Sequence, residues 1–229
     1  MWLREFCGFL LERNRMNVCR SLALGSLALV SPLACAQVAF NDFGPNNGGF
    51  DYNPSTGWTV SGGSSSPGTF RAANQFTSGA SGVLTDLILP VELVSGTGNI
   101  TVMLVNDAAG SPGSTVLESW TTAPSGSFGT WAAPITLSGN GSATLANGTL
   151  YWVEIVAANE STSTLWSAWD FNNQSVTGLD AYNQGTGWNL QPGQTLGAFK
   201  IDVKPAPEPA TMLALAGGAA VLLRRRRRS

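Results

Sequence analysis

Apolar and polar residues alternate with a period of two along much of the middle of the chain. Residues 150–157 show the pattern clearly: Tyr151, Val153 and Ile155 fall on one side of an extended chain, and Trp152, Glu154 and Val156 on the other. Residues 99–106 are rich in β-branched and apolar side chains, with Gly-Thr-Gly before them and Asp-Ala-Ala-Gly at their end. Further strands are predicted over 57–60, 69–76, 83–93, 116–121, 135–137, 143–145, 164–169 and 198–203. No stretch between them carries a helical apolar period of useful length. Gly, Ser, Thr, Asn and Pro fill the gaps, as turns require. Asn140-Gly141 and Asn147-Gly148 read as hairpin turns around 142–145. Pro90 interrupts the longest predicted strand and marks an edge or a bend there. Such a chain can bury a core only sheet against sheet. The expectation is an all-β single domain over 37–204, a β-sandwich or jelly roll.

Two apolar runs break the alternation, one near each end. The first, 21–30, has no charge; it follows Arg20 and leads through Pro32 to small residues at Ala34 and Ala36. A basic region, a short apolar region and an A-x-A cleavage site make a secretory signal peptide over 1–36. Ten residues are too few to span a bilayer, which takes about 20. The basic region is long counted from Met1 and of ordinary length counted from Met16, so Met16 is the expected start. A lipoprotein signal acylated at Cys35 fits less well, because Pro32 stands where an aliphatic residue is wanted. The second run is 210–223, inside a tail that covers 205–229. It follows an extended Pro-Ala-Pro-Glu-Pro linker and precedes Arg224, Arg225, Arg226, Arg227 and Arg228. As a helix it rises about 21 Å, against a hydrocarbon core of about 30 Å, so the linker, bilayer thinning or arginine snorkelling must complete a crossing. The arginines are expected to stay cytoplasmic, which leaves the middle outside.

Composition changes the picture once it is divided by segment. The chain has 229 residues, 12 basic and 14 acidic, for a net charge of −2. Between Gln37 and Lys204, three basic residues stand against eleven acidic ones, a net −8. An acidic middle argues against nucleic acid as a partner, since phosphate contacts need a basic face. The five-arginine run could be a nuclear or RNA-binding signal, but its place after an apolar run favours the membrane reading. There is no His, which excludes Ser-His-Asp and Cys-His catalysis and His-ligated metal. Cys7, Cys19 and Cys35 all precede Gln37, so cleavage after Ala36 leaves a domain without disulfide or thiolate chemistry. No cofactor is implied.

Pro207-Glu208-Pro209, a short apolar helix and an arginine cluster at the far C-terminus together resemble the PEP-CTERM sorting signal. That family occurs in Gram-negative bacteria that make exopolysaccharide. The resemblance covers about 205–228. It implies a membrane-embedded exosortase as partner, processing near Pro207–Pro209, and transient residence in the inner membrane. The middle is similar to the choice-of-anchor ectodomains. The residues that carry this are Phe43-Gly44-Pro45, Gly57 to Gly62, Ala73-Asn74-Gln75-Phe76, Asp107 to Gly113, Gly148 to Trp152, Trp188 and Ala198-Phe199. This second resemblance implies an extracellular β-sandwich without an established activity.

Three sets of residues could carry chemistry. Trp166, Trp169 and Trp188 lie in a stretch rich in Asn, Gln and Gly, 164–194. Rings that stack on sugar C–H faces beside amides that pair with hydroxyls would make a glycan-binding surface; core packing is the alternative. Asp107 opens a turn and is a candidate Ca²⁺ ligand, or else a cap on its own backbone. Glu154 with Glu160, or Asp170 with Asp180, could pair as acid and base for glycoside hydrolysis, or could be solvated acids. The expected protein is non-enzymatic: an exported surface or exopolysaccharide-matrix protein, with extracellular polysaccharide as a potential partner. A carbohydrate-binding module is the alternative, and a glycosidase the third reading.

Overall fold

Alternation in the sequence becomes fourteen strands in the computed structural model, which describes residues 35–44 and 51–205. The signal segment with Met16 and Ala34, the sorting motif Pro207-Glu208-Pro209, the run 210–223 and the cluster Arg224–Arg228 lie outside the described residues. Ala36 is described, and is exposed. In chain order the strands are β1 (Gln37–Asn41), β2 (Tyr52–Ser61), β3 (Arg71–Thr77), β4 (Gly82–Leu89), β5 (Val91–Ser95), β6 (Ile100–Asp107) and β7 (Pro112–Thr122). Then come β8 (Ile135–Ser138), β9 (Thr144–Leu145), β10 (Leu150–Ala157), β11 (Trp166–Asn172), β12 (Thr177–Asn183), β13 (Trp188–Thr195) and β14 (Lys200–Lys204). The described residues contain no helix. The fold is all-β, with antiparallel sheets facing one another.

The largest sheet has six strands in the order β13-β12-β3-β10-β6-β7. Opposite it lie a five-stranded sheet, β1-β14-β4-β8 with β9 also paired to β4, and a three-stranded sheet, β2-β11-β5. Tyr151, Val153 and Ile155 point into one core, as the alternation requires, and meet Leu84, Leu87, Ile201 and Trp169 from the other two sheets. Each fully buried Leu, Ile, Val or Phe there stabilises the fold by about 1.5–3 kcal/mol. Phe199 ties the layers together. It stacks on Phe40 at 4.4 Å and meets Phe76 and Trp169 edge-on or tilted at 5.7 and 5.6 Å. A second, smaller cluster lies on the outer face of the six-stranded sheet, where the fully buried Trp152 joins Ala73, Val105 and Ala181, and Met103, Leu179 and Trp188 pack against the cluster.

Three expectations are corrected by the pairing. The run 83–93 is two strands: Pro90 ends β4 in the five-stranded sheet, and the chain passes at once into β5 of the three-stranded one. A residue without an N–H fits the point where a ladder stops. Asn140-Gly141 and Asn147-Gly148 are turns, with Gly141 and Gly148 at φ +89° and +78°. Neither closes a hairpin, because β8 and β9 both pair with β4, and β10 belongs to the opposite sheet. Strands β1, β12 and β13 escape the alternation rule. β13 contains Pro192 and Gly193, which an edge strand tolerates where an interior one does not.

Candidate functional site

The three-stranded sheet and the β12-β13 edge of the six-stranded one frame a cleft of about 410 Å³. Trp58 comes from β2, Phe70 from the approach to β3, Tyr182 from β12 and Gln191 from β13; Gln184 follows β12. Trp58 is held in place on two sides. Its Nε1–H donates to the Thr195 carbonyl at 3.0 Å, and its ring meets Phe171 edge-on at 5.1 Å. Phe70 is set by a two-bond bridge to Ser61. Tyr182 lies opposite Ala72, and Gln191 opposite Asp180. Three aromatic side chains and two amides thus meet in one half-open space. Among the described residues that line it there is no charged side chain.

The tryptophans singled out in the sequence do not form one platform. Trp166 and Trp169 are three residues apart on β11 and so face opposite ways. Trp169 is fully buried, donates to the Ala198 carbonyl at 3.0 Å and packs on Phe199. No ring face is left for a sugar, so Trp169 is a core residue. Trp188 lies in the other layer, against the small cluster on the outer face of the six-stranded sheet. Trp166 is half-buried at the start of β11. The stretch 164–194 nonetheless supplies Tyr182, Gln184 and Gln191 to the cleft. Its amide content was the useful signal; its tryptophans were not. Trp58 stood in the Gly-Trp-Thr-Val motif, while Phe70 carried no sequence signal for a site.

Asp107 is occupied by its own surroundings. Its Oδ1 accepts from Gln75 Nε2 and Trp152 Nε1, each at 2.8 Å, and its Oδ2 accepts from the Gly110 amide at 2.9 Å. Burial alone would raise its pKa, but these three donors outweigh it and hold the carboxyl below the ordinary aspartate value. It caps the β6–β7 turn, and N–H donors stand where a cation would need oxygens. Among the described residues no group of three or more His, Cys, Asp or Glu is gathered to hold a metal.

The proposed acid pairs are distributed differently from expectation. Glu154 and Glu160 share Arg71, which donates to Glu160 at 2.6 and 2.7 Å and stands 4.0 Å from Glu154. Burial pushes Glu154 up to about 7, with Arg71 opposing. Asp170 and Asp180 stand on different sheets. Asp180 accepts from Asn74 at 2.8 Å, and burial pushes it up to about 7. Asp170, fully buried, is pushed up to about 9 by burial and by the nearby charge of Glu92. Glu92 is the residue that the acid pairing missed; its signal was a lone carboxylate between Val91 and Leu93. Burial raises it too, against the Tyr52 hydroxyl and the amides of Gly129 and Ala132.

No family model matches the chain, and no curated protein matches it. Two chains among the solved structures do. One is the crystal structure of the cysteine protease and lectin-like domains of Cwp84, a surface layer associated protein of Clostridium difficile. It is 16% identical over 60% of this chain, with a TM-score of 0.42. The chain spans about a third of that protein's length, 32%. A likeness of this size carries no argument about activity or ligand.

Proposed function

We propose that this is an exported surface or exopolysaccharide-matrix protein of a Gram-negative bacterium, non-enzymatic, delivered through a signal peptide and sorted by an exosortase through its PEP-CTERM tail. The observation that carries the reading is the order of its parts. A basic-apolar-small-residue leader precedes a cysteine-free, acidic all-β domain. Pro207-Glu208-Pro209, an apolar run and Arg224–Arg228 follow it. The jelly-roll connectivity, the signal helix and a short transmembrane helix over 210–223 belong to the same proposal. The test is the intact mass of the protein recovered from the cell surface of its producer. Loss of Arg224–Arg228 is expected, and their retention would overturn the processing step.

The cleft favours a second role for the same domain, binding of extracellular polysaccharide. Trp58, Phe70 and Tyr182 offer apolar ring surface, and Gln184 and Gln191 offer amides that can pair with hydroxyls. An uncharged lining suits a neutral sugar better than an anionic one. Binding to neutral glycans on an array, lost in Tyr182→Ala with Gln191→Ala, is the expected result. Equal binding by wild type and variant would remove the cleft from this role.

A further inference from the structure

Segment 123–134 crosses the outside of the three-stranded sheet as a strap. Ser125 N–H donates to the Val91 carbonyl at 2.7 Å, Phe128 N–H to Leu93 at 2.9 Å, and Gly129 N–H to Pro54 at 2.9 Å. It is therefore tied to both β5 and β2, the strands that flank β11. Glu92 and Asp170, in β5 and β11, are both fully buried. Ala168 pairs with Glu92, and Asp170 lies two residues further along. The two carboxylates therefore share the sheet face opposite Trp169, as diagonal neighbours about 7–8 Å apart at the backbone.

Three oxygens in this chamber, Glu92 Oε2 and both of Asp170, have no hydrogen-bond partner. Tyr52 cannot supply the deficit. Its hydroxyl accepts from Ala132 N–H at 2.9 Å and has one proton to give. Both the Ala132 carbonyl at 2.7 Å and Glu92 Oε1 at 2.9 Å compete for that proton. Nor do the described basic side chains help: Arg71 holds Glu160, Lys200 holds Asp202 at 2.7 Å, and Lys204 is exposed at the end of β14. Two buried carboxylates without a counter-charge are costly in any fold. Backbone diagonals of this length let two carboxylates converge on one ion with oxygen distances of about 2.3–2.6 Å.

We propose that the chamber under the strap is a structural Ca²⁺ site, with Glu92 and Asp170 as its carboxylate ligands. The rest of a shell of roughly six to eight oxygens falls to backbone carbonyls and water. The ion would fasten the strap to the sheet, and this role is independent of any sugar bound in the cleft.

The test uses the full-length protein in mild detergent, stripped with EGTA and titrated with CaCl₂. One Ca²⁺ per chain is expected. At calcium about 100-fold above Kd, the Tm should rise by about 5–10 °C. Asp170→Asn and Glu92→Gln should each abolish the rise, while Asp107→Asn keeps it. Because either chamber variant could fail to fold, limited proteolysis of the wild type gives a second readout: strap cleavage around Gly126–Gly129 in EGTA, suppressed by CaCl₂. An unchanged Tm and cleavage pattern in excess CaCl₂ would overturn the proposal and leave the pair neutralised by protons. Calcium binding that survives both folded variants would overturn it as well.

Discussion

The cleft and the chamber lie on opposite sides of the same short sheet, and they were built with opposite chemistry. The cleft joins aromatic rings to amides, is half-open and, among the described residues, has no charged side chain in its lining. The chamber holds Tyr52 and two carboxylates, closed off by a strap. β2 contributes to both regions, Trp58 to the cleft and Tyr52 to the chamber; Trp58 is the register partner of Trp169 on β11, with the buried Asp170 next in line. An acidic domain need not present an acidic binding surface. Here part of the acid is stored inside, where it costs stability unless something compensates it, and the open site is left neutral.

The largest effect should come from the core packing between the sheets, at Trp169. A Cβ at Gly197 would stand 2.5–2.7 Å from the Trp169 ring, closer than carbon atoms approach. Gly197→Ala should therefore cost about 1–3 kcal/mol, and Trp169→Ala about 3–5 kcal/mol. Urea denaturation would measure both. A Trp169→Ala midpoint equal to that of the wild type would show that the indole is not the core residue described.

Next is the pH dependence of the stored acid away from the chamber. Burial pushes Asp42 up to about 8, against a 2.6 Å hydrogen bond from the Phe199 amide, and Glu154 and Asp180 up to about 7. The native state then keeps protons that the unfolded chain has lost. This contribution to stability is complete below about pH 4 and declines as pH rises through 7–8. In EGTA the Tm should fall by several degrees between about pH 5 and pH 8. Asp42→Asn should flatten the curve, and a Tm that rises over that range would contradict the assignment.

In the cleft, Tyr182→Ala should weaken binding of a neutral polysaccharide about tenfold, or about 1.4 kcal/mol. Trp188→Ala, which removes a side chain packed on the small outer-face cluster, should leave affinity unchanged. Titration calorimetry on both variants separates the cleft from the tryptophan-rich stretch as the binding determinant.

The smallest effect belongs to Arg71. Its ion pair with Glu160 is partly exposed, so Arg71→Gln should change stability by less than about 1 kcal/mol. The same substitution should move the Glu154 pKa further up, visible as a shifted carboxyl resonance on NMR titration.

Much of the fold was legible because local rules and tertiary structure agree. Tyr151, Val153 and Ile155 face the core, and Trp152 and Glu154 the other side, as a period of two requires. Asp107 caps its turn, as its position before Ala-Ala-Gly suggested. β12 and β13 were not legible. Gly178, Asp180, Pro192 and Gly193 read as loop, and only pairing with β3 and placement at an edge make them strand. The cleft could be guessed in kind from an aromatic and amide-rich stretch, but its members stand at positions 58, 70, 182, 184 and 191.

From the sequence alone came the strand periodicity, the turn positions, the segregation of charge and the two end segments on which the proposed export and sorting rest. These are all local properties, carried by neighbours within a few residues. The tertiary structure decided which sheet each strand joined, that Trp169 is core, and that Glu92 meets Asp170 instead of Asp180 doing so. Those outcomes depend on register and sheet pairing between distant segments. A polar residue reads the same in the chain whether a strap will seal it or a cleft will expose it.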